Sequence, residues 1–226
     1  VDWSFLHPAY QVDVMVKATS NLLESVRRHC PAARVFIPCS ATMFGNAPAP
    51  QTEHTKFDPL SPYACAKVAI YHLARMYRHN YGMFVSTGIL YNHDPPRRNG
   101  NYLLHKICKA AATKSPIELW NIEDMIAIGY AKDYMQWVVR IMEHSVPDDF
   151  TVCDAFNTRI RVACELAYKE LGLDYTKFVS HAKEPNRLIA NPAYYSHSYK
   201  LGGIKPAFRT PFSELIYNIV NKYRRQ

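Results

Sequence analysis

Two short apolar runs, Arg34–Cys39 and Phe84–Leu90, bracket a segment of helical periodicity from Tyr63 to Tyr81. Each run reads as a buried strand. Strand, helix, strand in that order builds a parallel sheet, because parallel neighbours need a long crossover between them. Pro62 suits a first helical turn, and Tyr81-Gly82 is a helix stop. The first strand runs into Ser40-Ala41-Thr42-Met43-Phe44-Gly45, and the segment from Asn46 to Pro62, rich in Pro and Thr, reads as a surface loop. Upstream, Val14, Val16, Leu22, Leu23 and Val26 form one face of a helix over Val12–Arg28. Downstream, a loop from Tyr91 to Gly100 precedes a helix over Tyr102–Ala112 and a short strand over Pro116–Leu119. A helix over Ala131–Glu143, a strand over Phe150–Cys153 and helices over Arg161–Leu171 and Pro211–Tyr223 follow. This alternation predicts an α/β chain with a largely parallel sheet.

Composition removes several classes of function. With 226 residues, 48% of them apolar and 20% charged, the chain is neither disordered nor collagen-like, and no apolar run spans a bilayer. Val1 stands where an initiator Met would, and Val1-Asp2-Trp3-Ser4 lacks the layout of a signal peptide, so a processed product or a fragment is expected. The net charge of +8 comes from scattered residues with short clusters at Arg27-Arg28, Arg97-Arg98 and Arg224-Arg225. That pattern is a solvated basic surface rather than a nucleic-acid stripe. It also suits a nucleotide diphosphate ligand or a mitochondrial residence. Cys30, Cys39, Cys65, Cys108, Cys153 and Cys164 form no C-x-x-C pair, which points to reduced thiols in an intracellular, cytoplasmic protein. The histidines match no zinc spacing, and no metal is assigned.

The chemistry concentrates in Ser61-Pro62-Tyr63-Ala64-Cys65-Ala66-Lys67. Spacing of four puts Tyr63 and Lys67 on one helix face. An ammonium near a phenol stabilises the phenolate, and such a phenol can exchange a proton with an alcohol or carbonyl. A lone Tyr/Lys pair is usually a solvated helix face. Here it follows a strand ending near Ser40, whose hydroxyl can address the same oxygen, and strand C-termini are where open α/β sheets bind ligands.

With Gly88-Ile89-Leu90-Tyr91-Asn92-His93-Asp94-Pro95-Pro96-Arg97-Arg98 and Ala131-Lys132-Asp133-Tyr134, these motifs resemble the extended short-chain dehydrogenase/reductase family and its GDP-mannose 4,6-dehydratase branch. The resemblance runs from about Tyr10 to the C-terminus. It implies a Rossmann-like, doubly wound, mostly parallel sheet with a smaller α/β portion for substrate. Residues 1–148 are then a partial NAD(P)-binding domain with some substrate-loop segments, and 149–226 the substrate-domain-like portion. It implies Tyr63 as the catalytic tyrosine, Lys67 as the lysine on the nicotinamide ribose and Ser40 as the hydroxyl partner. Tyr10, His93 and Arg98 are implied cofactor contacts, and Asn92 a contact of the nucleotide-sugar substrate. The implied cofactor is NADP or NAD.

Three departures qualify the implied activity. Thr42 stands where the family has the acid/base glutamate of the elimination step, and Ser40-Ala41-Thr42 looks like the stretch found in nucleotide-sugar 4-epimerases. Ile126-Ala127-Ile128 replaces an Arg-Asp-Trp, and Glu184-Pro185-Asn186-Arg187 exchanges the signs of Arg-Pro-x-Glu. The Gly-rich turn that cradles the pyrophosphate is not in this sequence, so cofactor binding is conditional on it and the strand near Val35 should expose an edge. Two functions follow as expectations: a nucleotide-sugar dehydratase- or epimerase-like enzyme, or a degenerate relative kept as a subunit of a larger assembly. A homo-oligomer or such an assembly is expected, mitochondrial in the second case.

Overall fold

The computed structural model describes residues 2–153, 156–181, 200 and 209–225. The helices are α1 (Asp2–Leu6), α2 (Pro8–His29), α3 (Pro62–Tyr81), α4 (Leu103–Thr113), α5 (Ala131–Glu143), α6 (Ile160–Lys169) and α7 (Phe212–Arg224). The strands are β1 (Val35–Ser40), β2 (Val85–Leu90), β3 (Asn92–Asp94), β4 (Ile117–Leu119), β5 (Met125–Tyr130), β6 (Asp149–Val152), β7 (Phe156–Arg159) and β8 (Val179–His181). Among the described residues, contacts divide these into two compact units. Unit 1 holds residues up to Tyr91 with 134–153 and 200; unit 2 holds 92–133, 156–181 and 209–225. The units interleave along the chain.

Unit 1 carries a parallel three-stranded sheet in the order β1-β2-β6. α3 is the crossover between β1 and β2, as its position between two apolar runs predicts. The Ser61 hydroxyl caps it by accepting from the Ala64 N–H at 3.1 Å, Pro62 fills the first turn, and Gly82 ends it at φ +62°. Leu23, Ile37, Met43, Phe44, Ile70, Val85, Ile89, Phe150 and Val152 belong to its core. Gly45 closes the turn after β1 at φ +54°, and a Cβ there would lie 1.7 Å from the Asp58 carbonyl oxygen, so only glycine fits.

β1 lies at one end of this strand order, the edge expected for the strand near Val35. The Val35 N–H donates to the Phe84 carbonyl, so the alternate peptide groups of Phe36, Pro38 and Ser40 turn away from β2. Pro38 therefore sits where its missing N–H forfeits no ladder bond to β2.

Unit 2 pairs β3 with β5 in parallel, β5 with β7 antiparallel, and β4 with β8 in parallel. α4, α6 and α7 supply most of its core, including Leu104, Ile107, Cys108, Cys164, Tyr168, Leu215 and Ile219. The sheet here differs from the sequence expectation. Asn92–Asp94, read as loop, is a short polar strand formed by pairing with β5. Met125–Tyr130 and Phe156–Arg159 are strands because each finds the other. Ile126-Ala127-Ile128 thus lies within β5, while Glu184–Arg187 lies outside the described residues. Among the described residues no helix is long and apolar enough to cross a membrane, and no cluster of metal-ligating side chains occurs.

Candidate active site

The C-terminal end of β1 gathers the expected catalytic residues of unit 1. Ser40 is the last residue of the strand and caps a short 3-10 turn over Ala41–Phe44. Its Oγ accepts the Thr42 backbone N–H at 3.3 Å and the Thr42 Oγ1–H at 2.9 Å. Tyr63 and Lys67 lie one turn apart on α3, both half-buried, with the Lys67 Nζ 5.6 Å from the centroid of the Tyr63 ring. The same ammonium donates to the Pro38 carbonyl oxygen at 2.7 Å. Lys67 is thereby tied to the strand that presents Ser40 two residues later, and two of its N–H groups remain for a ligand.

Burial pushes the Lys67 ammonium below the ordinary lysine value, with a small opposing effect from Cys39. Burial also pushes the Cys39 thiol up to about 12, so Cys39 is an inert apolar neighbour rather than a nucleophile. Pro38 escaped the sequence reading because a main-chain acceptor leaves no side-chain signature. Tyr10 is on α2, largely exposed, with its ring edge-on to Trp3 at 5.6 Å.

His93, Arg98 and Asn92 lie in unit 2. Asn92 is exposed and His93 half-buried at the start of β3. Arg98 is turned inward on its own loop. It pairs with the buried Asp94 carboxylate, donates to the His93 carbonyl at 3.1 Å, and stacks its guanidinium 3.3 Å from the centroid of the Tyr102 ring. His105 and Lys222 hold the same loop, through the Pro95 carbonyl at 2.9 Å and the Arg98 carbonyl at 2.6 Å. The Asp94 partner is missing from the sequence reading, although its spacing of four from Arg98 is that of a local ion pair. Asp133, near the start of α5, accepts the Thr210 N–H at 2.8 Å and its hydroxyl at 3.1 Å, a structural use of an acidic residue from the Ala-Lys-Asp-Tyr motif.

A strand that ends in a serine hydroxyl and anchors a lysine, with a tyrosine one turn away on the lysine's helix, has the groups that can move a proton to and from a carbonyl or hydroxyl oxygen. Elimination needs a base besides, and the turn after Ser40 offers Thr42 in place of a carboxylate.

Residues 1–206 match the family model described as GDP-mannose 4,6 dehydratase. GDP-mannose 4,6 dehydratase 1 of Arabidopsis thaliana is 32% identical over 231 residues, which cover 97% of this chain and 63% of that protein. The chain spans about half the length of the curated relatives it matches. Among solved structures, RMD from Pseudomonas aeruginosa complexed with NADPH superposes with a TM-score of 0.87 at 17% identity, covering 100% of this chain and 78% of that one. UDP-N-acetylglucosamine 4-epimerase from Methanobrevibacter ruminantium M1 superposes with a TM-score of 0.88 at 18% identity, covering 99% of this chain and 73% of that one. At these identities the structural likeness establishes the fold, a Rossmann-type α/β architecture.

Proposed function

The chain belongs to the GDP-mannose 4,6 dehydratase family of extended short-chain dehydrogenase/reductases, and from that premise we propose that it serves NAD(P)-dependent oxidation and reduction at a ring carbon of a nucleotide-linked hexose, without the loss of water. The observation that carries the reading is the tie of Lys67 to Pro38, which sets the Tyr63–Lys67 pair beside the strand that ends in Ser40.

The residues present fit the nicotinamide end of the cofactor. Lys67 keeps two N–H donors for ribose hydroxyls and gives a phenolate at Tyr63 a counter-charge. When bound, the nicotinamide supplies the hydride acceptor and donor. Tyr63 then takes the proton of the sugar hydroxyl as it becomes a carbonyl and returns it in the reverse direction. Ser40 donates a hydrogen bond to the same sugar oxygen. Thr42, whose hydroxyl is a very weak base at neutral pH, leaves the C5 proton in place, so the elimination does not follow. Tyr10, His93 and Asn92 are proposed ligand contacts. Arg98 is proposed to act by shaping its loop, because its charge is already matched by Asp94. None of the cysteines forms a disulfide, which fits the proposed reducing, cytoplasmic compartment.

Titration calorimetry of the full-length protein with NADP+ and NADPH tests this reading. Binding of either, weakened when Lys67 becomes Ala, is the expected result; no heat from either cofactor defeats it.

A second reading, a structural subunit without catalysis, draws on one feature of unit 1. The first two helices leave Trp3 49%, Leu6 75% and Tyr10 61% exposed, an apolar surface of the kind partners cover. Co-purification with a stable assembly and no bound nicotinamide would favour that reading, with mitochondria as its proposed site. A homo-oligomer carrying cofactor would favour the enzyme.

A further inference from the structure

We propose that Thr42 is a positioning residue that makes the Ser40 hydroxyl a dedicated hydrogen-bond donor to ligand. The proposal deepens the redox reading above and rests on it for the identity of the ligand. A serine oxygen has one proton and room to accept two hydrogen bonds. The Thr42 N–H, 3.3 Å from the Ser40 Oγ, takes one acceptor place, and the proposal assigns the other to the Thr42 hydroxyl, whose Oγ1 lies 2.9 Å away. The backbone donor has no alternative direction, and the side-chain donor reinforces it. On this assignment the Ser40 proton is left over, and the Thr42 oxygen, 2.9 Å away, is the acceptor it gives up. A sugar oxygen reaching Ser40 is then received as an acceptor, either a ketone or a developing alkoxide.

The chemical consequence is a division of labour at one oxygen. Tyr63 is left as the group that accepts the sugar proton, while Ser40 only donates. A carboxylate at position 42 would reverse this, since it would draw the Ser40 proton to itself and turn the serine lone pairs toward ligand. Thr42 therefore selects ketone over alcohol at this site through Ser40, without touching the ligand itself.

Joint X-ray and neutron diffraction on perdeuterated full-length protein reads the direction of the bond with no ligand present. The proposal expects the Thr42 deuteron between the two oxygens and the Ser40 deuteron pointing away. A Ser40 deuteron lying on the Thr42 oxygen overturns it. Competition binding of GDP-4-keto-6-deoxymannose against GDP-mannose tests the consequence. Thr42→Val should lower the preference for the ketone about tenfold, the size of one net hydrogen bond, and Thr42→Ser should restore it. An unchanged preference in Thr42→Val overturns the proposal. If wild-type protein binds neither sugar, the nucleotide-sugar reading falls, and the neutron result alone decides the role of Thr42.

Discussion

At the N-terminal end of the β1-β2-β6 sheet, the buried Asp149 accepts from the Tyr71 hydroxyl at 3.1 Å, the Arg78 guanidinium at 2.8 Å and the Thr87 hydroxyl at 2.8 Å. At the C-terminal end of the same sheet, Ser40 is proposed to keep its proton for a ligand, and Lys67 keeps two donors after its single bond to Pro38. Both ends combine a tyrosine, a cation and a hydroxyl. One end closes its hydrogen bonds on itself and holds β2, β6 and α3 together. The other leaves Lys67 donors unused among the described residues, the capacity that the proposed ligand site draws on. The loop of unit 2 that carries Arg98 follows the first pattern, since its cation, acid and ring satisfy one another. The lesson is that a resemblance at the level of residue type does not say whether a polar group is committed inward or held for chemistry. The hydrogen-bond inventory does.

Substitutions at the two ends should separate in stability, and the largest loss belongs to the closed end. Arg78→Ala removes the nearest cation from a carboxylate that is 5% exposed, leaving Arg75 at 3.7 Å, and denaturant unfolding should show a loss of about 3 kcal/mol. A loss as small as that of a surface mutation would break the contrast. Asp94→Ala should cost about 2 kcal/mol, less than Arg78→Ala because the released Arg98 guanidinium is partly exposed and can reach water. The same variant should bind pyrophosphate more tightly than wild type by calorimetry, which would show that the charge had been spent on Asp94.

Tyr71→Phe should cost about 1 kcal/mol, because Asp149 keeps its other donors. Its sharper signature is in alkali. Burial and Asp149 push the Tyr71 phenol from its ordinary 10 up to about 12, so the folded protein holds a proton that the unfolded chain has lost. That stabilising contribution is complete below pH 10 and vanishes as pH rises through 12. Unfolding free energy should fall over this window in wild type and lose that part of its slope in Tyr71→Phe. Smallest in stability is Tyr63→Phe, which should stay within about 0.5 kcal/mol of wild type while lowering turnover by a hundredfold or more. A Tyr63→Phe protein as unstable as Arg78→Ala would place Tyr63 among the structural residues.

Much of unit 1 is legible because local signals agree there. Pro62, the Ser61 cap and Gly82 mark both ends of α3, and the apolar runs on either side are too short for anything but strands. Unit 2 is less legible because β3, β5 and β7 are made by pairing rather than by propensity, and Asn92-His93-Asp94 has no strand character alone. In the candidate site, the Tyr63–Lys67 face follows from spacing, and Ser40 follows from its place at a strand end. The anchor at Pro38 and the bond from Thr42 to Ser40 do not follow. The first is a main-chain oxygen, and the second depends on the turn that brings two hydroxyls within 2.9 Å.

The central claim is that this end of the sheet supports redox chemistry on a nucleotide-linked hexose and stops short of eliminating water. The most direct test is mass spectrometry and NMR of the nucleotide sugar after incubating the full-length protein with GDP-mannose and NADP+. The account predicts a sugar of unchanged mass altered at C4, with the change abolished in Tyr63→Phe. A product lighter by one water would contradict it, and so would a sugar recovered unaltered from cofactor-loaded protein.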